Sequence, residues 1–424
     1  MNVVVFEDRT VAGLGVVVAA RPACDITIGT HTLFELLGHL GPVRRIVRPH
    51  LARHLAGLAG GRIAIWGGAA DAAPAPPAST HGVPTLLVNA RLVPSRGHLV
   101  ALRSIVEAGR RCVVRAGEDV AAALLHPAAA GQGPDRAVLD AVIERGGHAI
   151  DGIDAVALPE HDASFTLLEQ THDVVSAHEA VLADSLALRI DGGGYAEIRP
   201  GLFVAEGATV ADWVAVRRGP VVVDRGADVG PFVCLDGPAW IGPDARISPH
   251  AWLRAGAAIG RACRVGGEVE ASVMEPFSNK PHDGYLGHSH IGSWTNLAAG
   301  TITGNLKVTY GPVRLHDLLP DGSRVTINTG RQFLGALVGD FVKSAVNTSL
   351  ACGTRIGVAA TVGGNPPESV PAFHNMLVGG PGGSRATAEQ AATILERMMA
   401  RRGLEMQRAD RDLLAALAAP AGAA

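Results

Sequence analysis

The sequence predicts two folded units in one chain, an α/β domain followed by a parallel β-helix. Fifty-three glycines and 4% aromatic residues suit the tight corners of a β-helix. Before residue 190, apolar strands alternate with helices, as in an α/β layer structure. In the second half, branched aliphatic residues recur at every sixth position, a period that neither a helix nor an ordinary strand explains but that is the signature of a parallel β-helix. These residues are Val223, Val229, Leu235, Ile241, Ile247, Leu253, Ile259 and Val265.

The α/β domain is expected over residues 1–190. A cluster of one aspartate and three glycines at 191–194 then interrupts the pattern. The Ala- and Pro-rich tract 72–79 is expected to be a surface loop. Strands are predicted at 2–7, 62–66 and 85–88, and helices at 30–40, 102–109, 135–144 and 165–188.

The β-helix is predicted over residues 195–370. Its six-residue regularity breaks at 271–285 and again at 307–333. Such breaks usually mark inserted loops, which often lie on the binding face of a solenoid. A helical tail is expected over 371–424, with helices near 387–402 and 404–418 that dock on the rest of the chain.

Composition excludes several classes of protein. A net charge of −3 over 424 residues gives no electrostatic reason to expect nucleic acid or an anionic membrane as a partner. The five cysteines are scattered without a paired motif, which favours reduced thiols in a cytoplasmic protein and no metal knot. Residues 1–20 contain the acidic pair Glu7 and Asp8 and no basic n-region, so we expect no secretory signal. No apolar run reaches about 18 residues, so we expect no transmembrane helix.

Polar residues that suit chemistry are concentrated in and just after the first break. The separations from His282 to Tyr285, to Asn296 and to Asn305 match a known pattern. With these spacings the segment resembles the acetyltransferase domain of the bifunctional bacterial enzymes that acetylate glucosamine 1-phosphate and then uridylylate the product. The flanking motifs make the chain most similar to a divergent branch of that family, described as sugar nucleotidyltransferases. These motifs are Phe6-Glu7-Asp8, Arg21-Pro22, Gly266-Gly267-Glu268-Val269 and Ser278-Asn279-Lys280.

The resemblance implies a left-handed parallel β-helix that assembles as a homotrimer, with acyl-donor sites between neighbouring helices. It implies acetyl-coenzyme A as co-substrate and an amino-sugar phosphate or nucleotide sugar as acceptor. Nucleotidyl transfer to a sugar 1-phosphate by the first domain would accompany this activity, with Mg²⁺ needed only if that domain is active.

The chemistry of acyl transfer fits the residues that the resemblance selects. An ammonium acceptor must lose a proton near pH 7, and an imidazole is suited to take it, so His282 is the expected general base. Glu268 is expected to orient the ring and stabilise the imidazolium. The expected substrate contacts are Asn279, Lys280, Tyr285, Asn296 and Asn305, and the expected coenzyme A contacts are Ala299 and Gly300.

Simpler interpretations remain open for several of these residues. Asn296 and Asn305 are also compatible with side-chain ladders or left-handed corners of a β-helix. Lys280 taken alone would be a solvated charge. We expect the neighbouring His288 and His290 to be ordinary surface histidines. One lysine of the family pattern is Glu270 here, which leaves the phosphate contact, and therefore the acceptor, open.

The first domain departs from the nucleotidyltransferase pattern at its phosphate and metal positions. The loop Ala12-Gly13-Leu14-Gly15 lacks the basic residue of the family, and Val88-Asn89-Ala90-Arg91 stands where the family has a metal-binding aspartate. A rearranged nucleotide site would use Asp8, Arg21, Asp25 and Arg91. Alternatively the domain only packs or binds ligand, and Arg21 and Asp25 form an ion pair beside a turn.

Two other functions stay open at this point. In one, the protein is a sugar-phosphate nucleotidyltransferase whose β-helix serves only oligomerisation or regulation. In the other, it is a non-catalytic protein that binds a sugar nucleotide.

Overall fold

A computed structural model of the chain describes residues 1–58, 83–127, 133–318, 324–367, 369–379 and 383–419. The predicted strand at 62–66 and the predicted loop at 72–79 lie outside these ranges. Over the described residues, an N-terminal α/β domain is followed by a left-handed β-helix and a helical tail, which confirms the predicted fold class.

Among the residues that the structure describes, a five-stranded sheet forms the centre of the N-terminal domain, in the order β2-β1-β3-β5-β4. β1 runs parallel to β2 and β3, whereas β5 is antiparallel to β3 and β4. Three consecutive valines in β1 suit a central strand covered on both faces. The predicted strands at 2–7 and 85–88 correspond to β1 and β3. The strands are β1 (Asn2–Phe6), β2 (Val43–Ile46), β3 (Thr85–Asn89), β4 (Cys112–Ala116) and β5 (Asp119–Leu125).

In the described ranges, five α-helices and three short 3₁₀ segments surround this sheet. Thr32 and Glu35 form a capping box at the start of α1, and Gly109, at φ 61°, ends α3. The helix predicted at 165–188 begins later, at Asp173. The helices are α1 (Leu33–Gly38), α2 (Pro49–Gly57), α3 (Arg96–Ala108), α4 (Pro134–Arg145) and α5 (Asp173–Asp191), and the 3₁₀ segments are Arg9–Val17, Ala23–Asp25 and Gly147–Ala155.

Short parallel strands stacked in coils build the β-helix. Its strands up to the second break are β6 (Tyr195–Arg199), β7 (Leu202–Ala205), β8 (Thr209–Val210), β9 (Ala215–Arg218), β10 (Val221–Val223), β11 (Asp228–Val229), β12 (Cys234–Asp236), β13 (Ala239–Ile241), β14 (Arg246–Ile247), β15 (Trp252–Leu253), β16 (Ala257–Ile259), β17 (Arg264–Val265), β18 (Glu268–Glu270), β19 (Val273–Met274), β20 (Asn279–Lys280), β21 (Tyr285–Gly287), β22 (His290–Ile291) and β23 (Ile302–Thr303). The later strands are β24 (Arg314–Leu318), β25 (Arg324–Asn328), β26 (Leu337–Val338), β27 (Lys343–Ser344), β28 (Ser349–Leu350), β29 (Arg355–Ile356), β30 (Thr361–Val362), β31 (Ser369–Val370), β32 (His374–Asn375) and β33 (Ser384–Arg385).

The coils enclose an apolar prism with three faces. Face A is the ten-stranded sheet from β6 to β31, face B contains β8, β11, β14, β17 and β20, and face C contains β9, β12, β15, β18 and β21. All eight hexad residues from Val223 to Val265 are buried in one cluster inside the prism, which confirms the meaning of the period. Non-glycine residues with positive φ occupy many corners, including Trp213, Phe232 and His250.

The two breaks in the repeat have different structural causes. At 271–285 no loop is inserted. The coil is shortened instead, so that Met274 pairs with Ile259 and Leu286 pairs with Val269. The expectation of an inserted loop is therefore wrong for this break. The second break does contain an insertion, the antiparallel hairpin β24–β25.

The N-terminal domain and the tail both pack against the β-helix. Leu182 and Leu186 of α5 lie on the outer surface of face A, against Trp240 and its neighbours. The tail helices are α6 (Ala388–Ala400) and α7 (Arg408–Ala418), close to their predicted positions. α7 docks on α2, where His54 lies 2.8 Å from Asp410. In the described ranges no helix has the length and apolar character to cross a membrane.

Candidate functional site

His282 lies at the corner that joins face B to face C. Its strand neighbours are β20 and β21, and its side chain is exposed. Within the described part of the chain, the imidazole makes no hydrogen bond or ion pair. A solvent-facing imidazole with both nitrogens available is able to exchange a proton with a ligand bound at this corner.

Tyr285 is the centre of a polar network beside this corner. Its hydroxyl donates to Glu270 Oε2 at 2.7 Å and accepts from Asn305 Nδ2 at 2.7 Å. Asn305 also lies 3.0 Å from His288 Nδ1. Burial, followed by the hydrogen bond to Glu270, raises the pKa of the Tyr285 phenol above its ordinary value. The phenol therefore stays protonated near neutral pH and acts as a hydrogen-bond donor rather than as a base.

Arg254 joins the two glutamates of face C. Its guanidinium lies 2.9 Å from Glu268 Oε1 and 2.9 Å from Glu270 Oε1. Glu268 stands beside Tyr285 in the strand register, as the sequence led us to expect of a neighbouring coil. Over the described residues, however, Glu268 forms no hydrogen bond with His282. Any effect of its carboxylate on the imidazole therefore acts through space, because Arg254 holds the carboxylate.

Lys280 is not placed as a substrate contact. Its side chain is only 1% exposed, because it occupies the interior position that Val265 has in the preceding coil. The ammonium donates to the carbonyls of Gly266 at 2.8 Å and His282 at 3.2 Å. Burial lowers the pKa of Lys280 to about 8, against the opposing charges of Asp283 and Glu268. We therefore revise its role to holding the His282 corner in place.

The remaining predicted contacts lie on face B and its corners. Asn279 and Asn296 are paired across neighbouring coils, and Asn279 accepts a hydrogen bond from Arg402 at 2.6 Å. Ala299 and Gly300 form a corner that stacks on Asn347. The backbone N–H of Asn347 donates to the Ala299 carbonyl oxygen at 2.8 Å. Gly300 has a φ of 72°, and a Cβ there would lie 2.1 Å from the Asn347 side-chain oxygen. Packing within the chain is thus enough to require glycine at this position.

His288 and His290 are not the surface residues that the sequence suggested. His290 lies in strand β22 of face A and is buried, with its Nε2 3.1 Å from Glu275 Oε1. His288 belongs to the Tyr285 network and lies 3.5 Å from Glu179 of α5. Burial lowers the pKa of His288. No local pattern marks these contacts, because they depend on how α5 packs against the coils.

Two of the four predicted nucleotide-site residues lie together. Arg91 Nε donates to Asp8 Oδ1 at 2.9 Å, and Arg91 Nη2 donates to Asp8 Oδ2 at 2.6 Å and to Asp119 at 2.5 Å. Asn89 Nδ2 also donates to Asp8, at 2.7 Å. This group follows the carboxyl ends of the parallel strands β1 and β3, where open α/β sheets usually bind ligands.

The other two residues lie elsewhere and do not join this group. Arg21 is fully buried and makes ion pairs with Glu275 and Asp340 of the β-helix. Asp25 is also buried and accepts from Arg45 at 2.9 Å. Arg21 therefore connects the two domains, because its partners come from the solenoid, and it is not available to a phosphate in solution.

The Gly-rich segment after β1 is packed rather than open. Residues Arg9–Val17 form a 3₁₀ segment whose Val11, Leu14 and Val17 are buried. A Cβ at Gly13 would lie 2.2 Å from the carbonyl oxygen of Glu169. A small cavity of about 270 Å³ remains beside it, lined in part by Gly13, Gln170 and Arg355.

The N-terminal domain and parts of the chain are similar to known proteins. The family model described as "Sugar nucleotidyl transferase" matches residues 3–192. This part of the chain is similar to that family. Relatives that match part of the chain include a bifunctional protein GlmU of Methanococcus vannielii, 35% identical over 127 residues, and a bifunctional sugar-1-phosphate nucleotidylyltransferase/acetyltransferase of Sulfurisphaera tokodaii, 31% identical over 147 residues.

These matches are partial. The first covers 30% of this chain and 28% of the relative, and the second covers 34% of this chain and 35% of the relative. Among solved structures, the acetyltransferase domain of PglB from Neisseria gonorrhoeae with acetyl coenzyme A is 11% identical, with a TM-score of 0.18. It covers 55% of this chain and 80% of that one.

The residues of the family-related domain do not fit a bound Mg²⁺. Both carboxylate oxygens of Asp8 are engaged by Arg91 and Asn89, and Asn89 supplies an amide where a second carboxylate would be needed. Within the described ranges, no group of three histidine, cysteine or acidic side chains is arranged to hold a metal. A metal at this end of the sheet would first have to displace the Arg91 guanidinium.

Proposed function

We propose that this chain transfers an acyl group, with acetyl as the expected case, from acyl-coenzyme A to the amine of an amino-sugar phosphate or nucleotide sugar. The observation that carries the proposal is the exposed imidazole of His282 beside the Tyr285 network. A base open to solvent and neighbouring polar groups of fixed orientation are the two requirements for deprotonating and positioning an amine.

In the proposed reaction, His282 accepts a proton from the ammonium of the acceptor. The neutral amine nitrogen then attacks the thioester carbonyl carbon and the C–S bond breaks. The leaving thiolate takes the proton from the imidazolium, and the nitrogen releases its second proton to solvent as the amide forms. The products are an amide and free coenzyme A. Glu268, held by Arg254, favours the imidazolium through its charge, because opposite charges raise the stability of the protonated ring.

The proposed acceptor contacts are Tyr285, Asn279, Asn296 and Asn305, whose donors and acceptors suit sugar hydroxyls. Coenzyme A is proposed to pass the corner formed by Ala299 and Gly300. The proposed assembly is a homotrimer in the cytoplasm, with the donor site between neighbouring β-helices. These contacts are the ones expected from the sequence, with one exception. Lys280 holds the His282 corner in place and does not contact the ligand.

A thiol-release assay with acetyl-coenzyme A tests this function against a panel of amino sugars, amino-sugar phosphates and amino nucleotide sugars. Saturable release of thiol with at least one amine, and formation of the matching amide by mass spectrometry, supports the proposal. Thermal stabilisation by a sugar nucleotide without turnover of any amine would instead favour a non-catalytic binding protein.

We propose nucleotidyl transfer as the second candidate function, supported by the family match over residues 3–192. Its site would be the group of Asp8, Asn89 and Arg91. Pyrophosphate release from a nucleoside triphosphate and a sugar phosphate tests it, with Asp8→Asn as the variant. Release that Asp8→Asn abolishes, in a protein that cleaves no thioester, would make this the main function and leave the β-helix as a scaffold.

A further inference from the structure

A column of basic side chains runs along face B. Arg246 pairs with Arg264, and Arg264 pairs with Asn279, on three successive coils. In-register residues of parallel strands lie on the same face, about 4.8 Å apart. The two guanidinium groups therefore project side by side from the outer surface of the prism.

The tail brings a third arginine to this column. Arg402 follows the end of α6 and donates from Nη2 to Asn279 Oδ1 at 2.6 Å and from Nη1 to the Ala262 carbonyl at 3.0 Å. The guanidinium of Arg402 is also close enough to Arg264 for the two charges to repel each other. Burial lowers the pKa of Arg402, and the charges of Arg264, Arg246 and Arg401 lower it further, as expected for cations held close together.

No carboxylate in the described part of the chain forms an ion pair with Arg246, Arg264 or Arg402. The nearest acid in the column is Asp228, next to Arg246, and it accepts a hydrogen bond from Thr209. Arg264 Nε is buried without a hydrogen-bond partner. Buried donors usually have a hydrogen-bond partner, and adjacent like charges repel each other. A bound anion would supply the partner and offset the repulsion.

We propose that Arg246, Arg264 and Arg402 form a binding site for a phosphate or diphosphate group. A guanidinium presents planar paired donors that match phosphate oxygens, and three of them suit an anion with more than one negative charge. The unpaired Arg264 Nε would donate to that anion. The site is tested without acyl transfer, because its three arginines are none of the proposed acceptor or coenzyme A contacts, although Arg402 donates to the proposed acceptor contact Asn279.

Isothermal titration calorimetry of the full chain with inorganic pyrophosphate at low ionic strength tests this site. Arg246→Gln and Arg264→Gln should each weaken binding about tenfold or more, the loss expected for one charge-assisted interaction. The matched control is Arg217→Gln, which removes an exposed arginine of face C and should leave the affinity unchanged. Binding should also weaken as salt is raised.

Two further titrations identify the carrier of the phosphate. If uridine diphosphate binds with the same dependence on Arg246 and Arg264, the group belongs to a nucleotide. If coenzyme A does so, it belongs to the acyl donor. Arg246 is exposed and makes no contact that the fold needs, so its variant should keep the thermal midpoint. Pyrophosphate affinity that is absent, or equal in wild type and both variants, would overturn the proposal.

Discussion

Arg21 Nη1 lies 3.0 Å from Glu275 Oε2, and both side chains are almost completely buried. Arg21 follows the first strand of the N-terminal domain, whereas Glu275 belongs to the β-helix. Asp340 and Ser293 of the solenoid also bind the same guanidinium. Burial opposes the charge on Arg21, but Asp340 and Glu275 outweigh it and raise its pKa, so the group stays charged. The two domains are therefore joined by a buried ionic network.

Removing the cation from this network should destabilise the protein strongly. Arg21→Ala leaves Glu275 and Asp340 buried without their partner, which should lower the free energy of unfolding by about 3–5 kcal/mol. Urea denaturation followed by circular dichroism measures the change. Arg408→Ala, which breaks an exposed pair with Asp412, is the control and should change stability by less than about 1 kcal/mol. Equal effects of both variants would contradict a structural role for Arg21.

The same network should make stability depend on pH in the acid range. Burial alone would raise the pKa of Glu275, but the charge of Arg21 and the contact with His290 lower it from 4.5 to about 2. The unfolded state thus binds more protons in this interval, so the stabilisation is complete above about pH 4.5 and is lost towards pH 2.

Unfolding free energies measured from pH 5 to 2.5 should therefore fall more steeply for wild type than for Glu275→Gln. The lowering of the Glu275 pKa corresponds to a contribution of roughly 3 kcal/mol at most to the free energy of unfolding. The exposed Glu405→Gln variant is the control and should follow the wild-type curve. Parallel curves for wild type and Glu275→Gln would show that the carboxylate is not held ionised by Arg21.

Lys280 should act on catalysis through the position of His282 and not through ligand affinity. Lys280→Met removes the donor to the carbonyls of Gly266 and His282, so we expect kcat to fall and the KM for the acceptor to change little. Steady-state thiol release measures both constants. Lys307→Met is the matched control, since Lys307 donates to the Pro312 carbonyl within the second break. A large increase in KM with unchanged kcat would restore Lys280 as a direct substrate contact.

The phenol of Tyr285 should matter more for activity than for the fold. Tyr285→Phe breaks the hydrogen bonds with Glu270 and Asn305, which should lower stability by about 1–2 kcal/mol and acyl-transfer kcat/KM about 10-fold or more. Tyr195→Phe is a matched control, because its hydroxyl donates to Asp224 far along the solenoid. It should reduce stability but keep kcat/KM. If the two variants lose activity equally, the Tyr285 network is only structural.

The periodic features of the fold could be predicted from the sequence, because they depend on local spacing. Branched aliphatic residues every six positions identified the prism interior, and Leu286 and Met274 simply continue it through a shortened coil. The sequence alone suggests an inserted loop at this shortened coil. The six-residue repeat loses its phase in the same way whether residues are added or removed.

The contacts between distant segments could not be predicted in the same way. The sequence places Arg21 in a rearranged nucleotide site or in an ion pair with Asp25, but its partners lie more than 250 residues later in the chain. The charge of Lys280 suggests a substrate contact. However, Lys280 occupies the inward-facing position that Val265 has in the preceding coil, and that position indicates burial. His288, Glu270 and Arg254 enter the site only through stacking of coils and packing of α5, which no single segment reveals.

The most direct test of acyl transfer compares His282→Ala with His250→Ala in the thiol-release assay. Both histidines are exposed at the same corner between faces B and C, two coils apart. His282→Ala should keep the wild-type thermal midpoint, whereas His250→Ala also removes a ring stacked on Phe232, so each variant is assayed below its own thermal midpoint. The account predicts a loss of about 10²–10⁴-fold in kcat for His282→Ala, as for removal of a general base, and unchanged kcat for His250→Ala. Full activity of a folded His282→Ala protein would contradict it.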